Sequence, residues 1–271
     1  MMVIVTEKQF YMDGYLKNAL DTAKKEIKND WDFVFVYDGI EGSGKSVKAM
    51  QDAFYCDPSL SFDRYAFNDV EFKSAINKAE KYQAVVYDEA HSGLNSRAAM
   101  SSVNRSIVSM LTEIRQKNLF VFVILPTFFD LDRYVAIWRS RLLCHIYTKE
   151  SFNRGYFAFY NIDKKKMLYI KGKKFYQYNA VKPNFVGRFT NFYPLDQAEY
   201  RKRKYNATME HKSTTEDEEI LKIVNQMIYN KVMKAENLTH NQKMAILEMP
   251  STTYYRKLKQ FGVIGSDSLR E

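Results

Sequence analysis

The sequence predicts an α/β fold built on a doubly wound, mostly parallel sheet, and three observations lead there. Short β-branched and aromatic runs alternate with amphipathic helical stretches over residues 32–148. The run Trp31-Asp-Phe-Val-Phe-Val-Tyr37-Asp passes straight into a glycine-rich octet, Gly39-Ile-Glu-Gly-Ser-Gly-Lys-Ser46, in the strand–turn–helix order that wraps a phosphate group. Gln83-Ala-Val-Val-Tyr87-Asp88-Glu89 is an apolar run closed by two carboxylates, as expected of a central strand buried on both faces.

The elements follow in order. Residues 6–28 read as a helix with Tyr11, Tyr15, Leu16, Leu20 and Ile27 on its apolar side. The first core strand is 32–38, and the helix after the octet starts near Lys45 and runs to about Phe54. A short strand at 64–67 precedes a helix over 69–81, and the strand with paired carboxylates is 84–88. Arg97 to Lys117 reads as a long helix, 120–125 as a strand ending at Pro126-Thr127, 131–138 as a short helix and 142–147 as a strand. Together they define a core domain over 1–150.

Aromatic runs at 155–160, 166–170 and 174–178 then predict a small β-hairpin extension over 151–205. Lys164, Lys165, Lys166, Lys171, Lys173 and Lys174 crowd its turns, and Arg201-Lys-Arg-Lys204 follows. Basic residues among aromatics suit a single nucleic-acid strand; a solvated hairpin with lysine gatekeepers has the same composition. The polar stretch 206–218 reads as a linker. Helices at 220–232, 238–248 (capped by Thr239 or Asn241) and 251–261 form a C-terminal helical domain, 219–271, with Gly262 ending the last helix. Its last two helices resemble a helix-turn-helix with 251–261 as recognition helix. A protein-docking unit is the alternative.

The chemistry lies in the two motifs. Gly39, Gly42 and Gly44 let backbone N–H groups of Glu41, Gly42, Ser43, Gly44, Lys45, Ser46 and Val47 curl around phosphate oxygens at a helix N-terminus. Lys45 reaches the terminal phosphates, and Ser46 ligates Mg²⁺. Asp88 holds the same Mg²⁺ through water, and Glu89 activates the attacking water as general base. ATP and Mg²⁺ are therefore the expected cofactors, and ATP hydrolysis the expected reaction. Asp88-Glu89-Ala90-His91 also spells the signature of one helicase class. Only about 180 residues follow His91, with no second phosphate-loop domain, so His91 is expected to start a helix or couple the site.

Composition narrows the class. The chain has 271 residues, with 41 Lys and Arg against 32 Asp and Glu for a net charge of +9, which favours an acidic partner such as DNA. Cys56 and Cys144 have no metal-site spacing and read as buried thiols of a reducing compartment. No segment reads as a signal peptide or membrane span, so a soluble, cytoplasmic protein without membrane association is expected.

Residues 11–148 resemble the P-loop ATPases of phages and archaeal mobile elements grouped with zonula-occludens-toxin-like proteins, distant relatives of the HerA–FtsK DNA-pumping ATPases. The resemblance rests on Asp13-Gly-Tyr-Leu16, Glu41-Gly-Ser-Gly-Lys-Ser46, Val85-Val-Tyr-Asp-Glu-Ala90, Leu94-Asn-Ser-Arg97, Glu113-Ile-Arg-Gln-Lys-Asn118, Leu125-Pro-Thr-Phe-Phe-Asp-Leu-Asp132 and Arg139-Ser-Arg141. It implies a RecA-like sheet of the branch that uses a catalytic glutamate, with an extra strand between the two motif strands. Pro126-Thr127 stand where the pumps usually carry a glutamine, which makes Thr127 a candidate at that place. It further implies a homo-oligomer, such as a ring, in which Arg139 and Arg141, ahead of Arg115, complete a neighbour's site. The expected role is a DNA translocation or packaging motor; the alternative is an ATP-switched DNA-binding regulator or helicase-loader-like protein.

Overall fold

Strand β3 (Phe33–Asp38) carries Phe, Val and Tyr on both faces, and from Val34 onward every residue is buried. A strand with no polar side needs cover above and below. The computed structural model, which describes residues 1–88 and 104–260, supplies it with an α/β architecture around a seven-stranded mixed sheet. The order is β4 (Tyr65–Ala66), β5 (Ala84–Asp88), β6 (Phe120–Ile124), β3, β7 (Ser140–Lys149), β8 (Asn153–Tyr160), β9 (Phe185–Arg188). The first five run parallel; β8 and β9 are added antiparallel. Strand β6 lies between β3 and β5, pairing Phe33 to Tyr37 with Phe120 to Ile124.

One face is covered by α1 (Gly14–Glu26) and α2 (Lys45–Cys56), the other by α3 (Asp69–Lys78), α4 (Leu111–Gln116) and α5 (Ile162–Gly172). Asp13 caps α1 by accepting from the amides of Tyr15 and Leu16. Helix α2 is buried from Val47 to Cys56, with its polar groups paired internally. Lys48 bonds Asp52 four residues on, and the Tyr37 hydroxyl donates to the same carboxylate at 2.7 Å. Burial pushes the Asp52 pKa up, opposed by Lys48. Beside β5, the Asp57 carboxylate accepts from Arg64 and from the Ala84 amide, fixing the start of that strand.

The structure differs from the sequence reading in five places. Of the long helix expected over 97–117, residues 97–103 lie outside the described residues, and 104–109 and 111–116 are two helical segments broken by a turn at Met110. Residues 2–11 are a hairpin, β1 (Met2–Val5) and β2 (Lys8–Tyr11), rather than the start of a helix. The alternating burial of Met2–Val5 is a strand period, and Thr6 turns the chain at a φ of 53°. Residues 131–138 do not form an ordinary short helix; Val135–Arg139 is a single π-helical turn.

Residues 166–170 are helical, not extended. In α5 the buried positions Lys165, Leu168, Tyr169 and Gly172 follow the helical period, Asn161 caps the first turn, and the Lys165 amine donates to Ala136 and Ile137 carbonyls at 2.6 and 3.2 Å. Burial lowers the Lys165 pKa to about 8. Residues 174–178 form no strand, and β8 belongs to the main sheet, so 151–205 is not a separate hairpin extension.

Residues 206–218 lie inside α6 (Gln197–Lys234) rather than in a linker. No Gly or Pro interrupts 195–249, and a charged tract can be helix as readily as coil. The chain divides into two compact units, Met1–Thr208 and Met209–Glu271. In the second, Met233 and Tyr254 are buried among Tyr229, Met244 and Leu247. Thr239 and Gln242 cap α7 (His240–Ile246) reciprocally, and α8 is Ser251–Gln260. Among the described residues no helix is long and apolar enough to cross a membrane.

Candidate functional site

Parallel strands bring their carboxyl ends to one edge of the sheet, and the two motifs meet there. Asp38 ends β3, Asp88 ends β5, and Leu125-Pro126 follow β6. The turn after β3 uses left-handed backbone at Gly39, Gly42 and Gly44, with φ of 139°, 72° and 101°. At Gly39 a Cβ would lie 2.0 Å from the Ile146 carbonyl oxygen, so β7 itself excludes a side chain. Gly44 caps α2 without a side-chain acceptor, leaving the first amides of the helix directed at the turn. Such an end is suited to an anion.

A cavity of about 680 Å³ opens over this turn. Glu41, Gly42, Ser43, Gly44, Lys45, Ser46 and Val47 form one wall, and Asp88 and Pro126 lie beside them. Arg154, Phe189 and Tyr193 line a second side, and Tyr200, Arg201, Lys204 and Thr208 of the first turns of α6 a third. The Lys45 amine curls onto the carbonyls of Gly39 and Ile40, at 2.5 and 3.0 Å. Burial lowers its pKa; the Asp38 charge opposes this and the Lys204 charge adds to it.

Ser46 and Asp88 face one another across a shared cation. Lys204 Nζ is 3.2 Å from Ser46 Oγ and 3.3 and 3.4 Å from the two Asp88 oxygens. Asp88 is almost fully buried and also accepts from the hydroxyls of Tyr65 and Tyr200, at 2.9 and 3.0 Å. Burial, then the Asp88 charge, raises both phenol pKa values, so these hydroxyls remain donors. The arrangement is a pair of oxygen acceptors bridged by a positive charge.

Behind the cavity, buried Asp38 accepts from the Phe128 amide at 2.7 Å and from the Tyr178 hydroxyl, and His145 Nδ1 lies 2.9 Å from its other oxygen. The Tyr178 ring stacks on His145 with centroids 3.7 Å apart. Thr127 belongs to this network: its hydroxyl is 3.0 Å from that of Tyr178 and it accepts from the Phe129 amide. Thr127 therefore helps to fix the turn after β6 and is not among the cavity-lining residues; nor is Gly39.

The arginines read as candidates for a neighbour's site lie elsewhere. Arg139 pairs with buried Asp32 at 2.6 Å, Arg115 with Asp30 at 2.8 Å, and the Arg141 guanidinium stands 4.8 Å from the Trp31 ring centre. Asp30, Trp31 and Asp32 precede β3, whereas the glycine turn follows it. The length of β3, about 20 Å for six residues, separates the two ends. Within the chain these arginines serve internal pairs. Glu89, His91 and Arg97 lie outside the described residues.

Tyr200, Lys204 and Thr208 were not singled out from the sequence for this site. Their signal is the i, i+4, i+8 spacing that sets all three on one helix face, visible only once 197–208 is known to be helical. Several extension lysines are engaged inside the protein: Lys165 with carbonyls, Lys164 with the Pro183 carbonyl, and Lys166 over the Trp138 ring. Cys56 and Cys144 are free and buried, and burial raises both thiol pKa values. No family model, curated protein or solved structure matches this chain.

Proposed function

We propose that this protein is a Mg²⁺-dependent ATPase that acts on DNA. The observation that carries the reading is the meeting of the glycine turn and the start of α2 with the Ser46–Asp88 oxygen pair, in one cavity beside Lys45. The backbone amides of 42–46 and the Lys45 ammonium would take the phosphates of ATP. The Ser46 hydroxyl and Asp88 carboxylate are hard oxygen donors bridged by an ammonium, a donor set that fits Mg²⁺. When bound, that ion neutralises charge on the phosphates. Glu89, one residue past β5, would take the proton of the attacking water. The position of β6 between β3 and β5 supports the RecA-like, glutamate-using branch of P-loop ATPases.

DNA is assigned to the second unit, where Ser251, Thr252 and Arg256 of α8 are exposed while Tyr254 packs inward. The reading extends to a homo-oligomer, a ring in its simplest form, that moves or packages DNA. ATP turnover measured without DNA and with single- or double-stranded DNA, alongside oligomeric mass, tests it. Stimulated turnover in a closed oligomer supports a motor. Stoichiometric ATP binding with DNA-insensitive turnover would favour the ATP-switched regulator. A chain ending at Thr208 should keep turnover and lose salt-dependent duplex affinity.

A further inference from the structure

Lys204 bonds both oxygens assigned to the metal, yet it lies on α6, 116 residues from Asp88. Its ammonium contacts Ser46 Oγ, both Asp88 oxygens and, at 3.1 Å, the Tyr200 hydroxyl. We propose that Lys204 is a displaceable gate on the metal site: its ammonium holds the place between Ser46 and Asp88 that Mg²⁺ takes, so the metal enters as Lys204 leaves. This rests on the ATPase reading given above.

Two physical arguments support exclusion. Lys204 sits 3.2–3.4 Å from the oxygens, whereas Mg²⁺ needs its ligands at about 2.0–2.1 Å in a near-octahedral shell. Two cations placed together between Ser46 and Asp88 would repel one another at short range. In addition, buried Asp88 needs a positive partner, because an unpaired buried carboxylate is costly. Lys204 supplies that charge, and Mg²⁺ can replace it. The lysine has room to leave: its side chain is 37% exposed on a flexible stem, whereas Asp88 is 1% exposed. Tyr65 and Tyr200 can keep their hydrogen bonds to Asp88 throughout, so the carboxylate need not turn when the cations exchange.

The test uses the full chain and two probes, Mg²⁺ alone in thermal unfolding and a fluorescent ATP analogue titrated with Mg²⁺ in a Glu89→Gln background. Lys204→Met should lower the Mg²⁺ concentration at half-effect about tenfold in both, the weight of one charge-assisted hydrogen bond no longer in competition. Without metal this variant should melt below the wild type, and Mg²⁺ should close most of the gap. Lys204→Arg should retain the wild-type Mg²⁺ demand. Should Lys204→Met fail to fold even with Mg²⁺, Lys204→Gln, which keeps a donor but no charge, carries the comparison with the same expected direction. Equal Mg²⁺ half-points in wild type and the uncharged variants would overturn the gate. A wild type that binds no analogue at any Mg²⁺ concentration would instead remove the ATPase reading, and the melting series with Mg²⁺ alone would still report on Lys204.

Discussion

The two ends of β3 carry charged residues in similar numbers and use them in opposite ways. At the amino end, Asp30 and Asp32 are met by Arg115 and Arg139, Arg141 lies over Trp31, and Asn118 donates to Asp30 and to the Trp31 carbonyl. Each side chain has a partner in the same chain, and none of them lines the cavity at the other end. At the carboxyl end the glycine turn, Lys45, Ser46, Asp88, Arg154 and Lys204 converge on open space. Equal charge content therefore says little about function. What separates the ends is whether the groups close on one another or on a cavity.

The largest effect expected from breaking this contrast is at the cavity. Glu89→Gln should lower ATP turnover on the order of 10²–10⁴-fold while ATP still binds, because the base is lost and the Ser46–Asp88 pair is kept. Rapid turnover with Gln at 89 would transfer the base to another group. At the opposite end, Asp32→Ala should leave nucleotide affinity unchanged and destabilise the fold by about 3–5 kcal/mol, since it leaves Arg139 beside an empty buried position. Denaturant titration measures it.

Arg139→Ala sharpens the comparison further. It should lower stability by up to about 3–5 kcal/mol as buried Asp32 loses its partner, with turnover per folded molecule unchanged. Mixing an Arg139→Ala/Arg141→Ala double variant with Lys45→Ala protein adds the decisive arm. Regained activity in mixed oligomers would return these arginines to a neighbour's active site. The smallest effect concerns acid. Arg115 and Asn118 hold the exposed Asp30 carboxyl at about 2, below its usual 3.8. Its contribution is thus complete above about 3.8 and is lost as pH falls towards 2. Arg115→Ala should flatten that part of the acid-unfolding curve, and an unchanged curve would show the pair to be energetically silent.

How much of this was legible in the sequence depended on the range of the signal. Gly39 to Ser46 and Val85 to Asp88 are local patterns whose residue types dictate their own geometry, and both strands, the turn and α2 follow from them. Met167-Leu-Tyr-Ile170 defeats the same reading, because a short apolar run suits a strand or a buried helix equally. The Asn161 cap, the burial of Leu168 and Tyr169 on one helix face and the contacts of Lys165 with Ala136 and Ile137 decide for the helix. The tract 206–218 looks like a linker because charge opposes burial, but it does not oppose helix formation. Long-range convergence was the least legible part. Tyr178 reaches Asp38 across 140 residues and Lys204 reaches Asp88 across 116, and no local pattern announces either.

The most direct test of the account is phosphate release from Mg²⁺-ATP by the intact protein beside Lys45→Ala, both shown folded by circular dichroism. The account predicts Mg²⁺-dependent release by the wild type, abolished with chelator and nearly abolished in Lys45→Ala. Wild-type protein that neither binds nor hydrolyses Mg²⁺-ATP, or equal turnover by the two proteins, would contradict it.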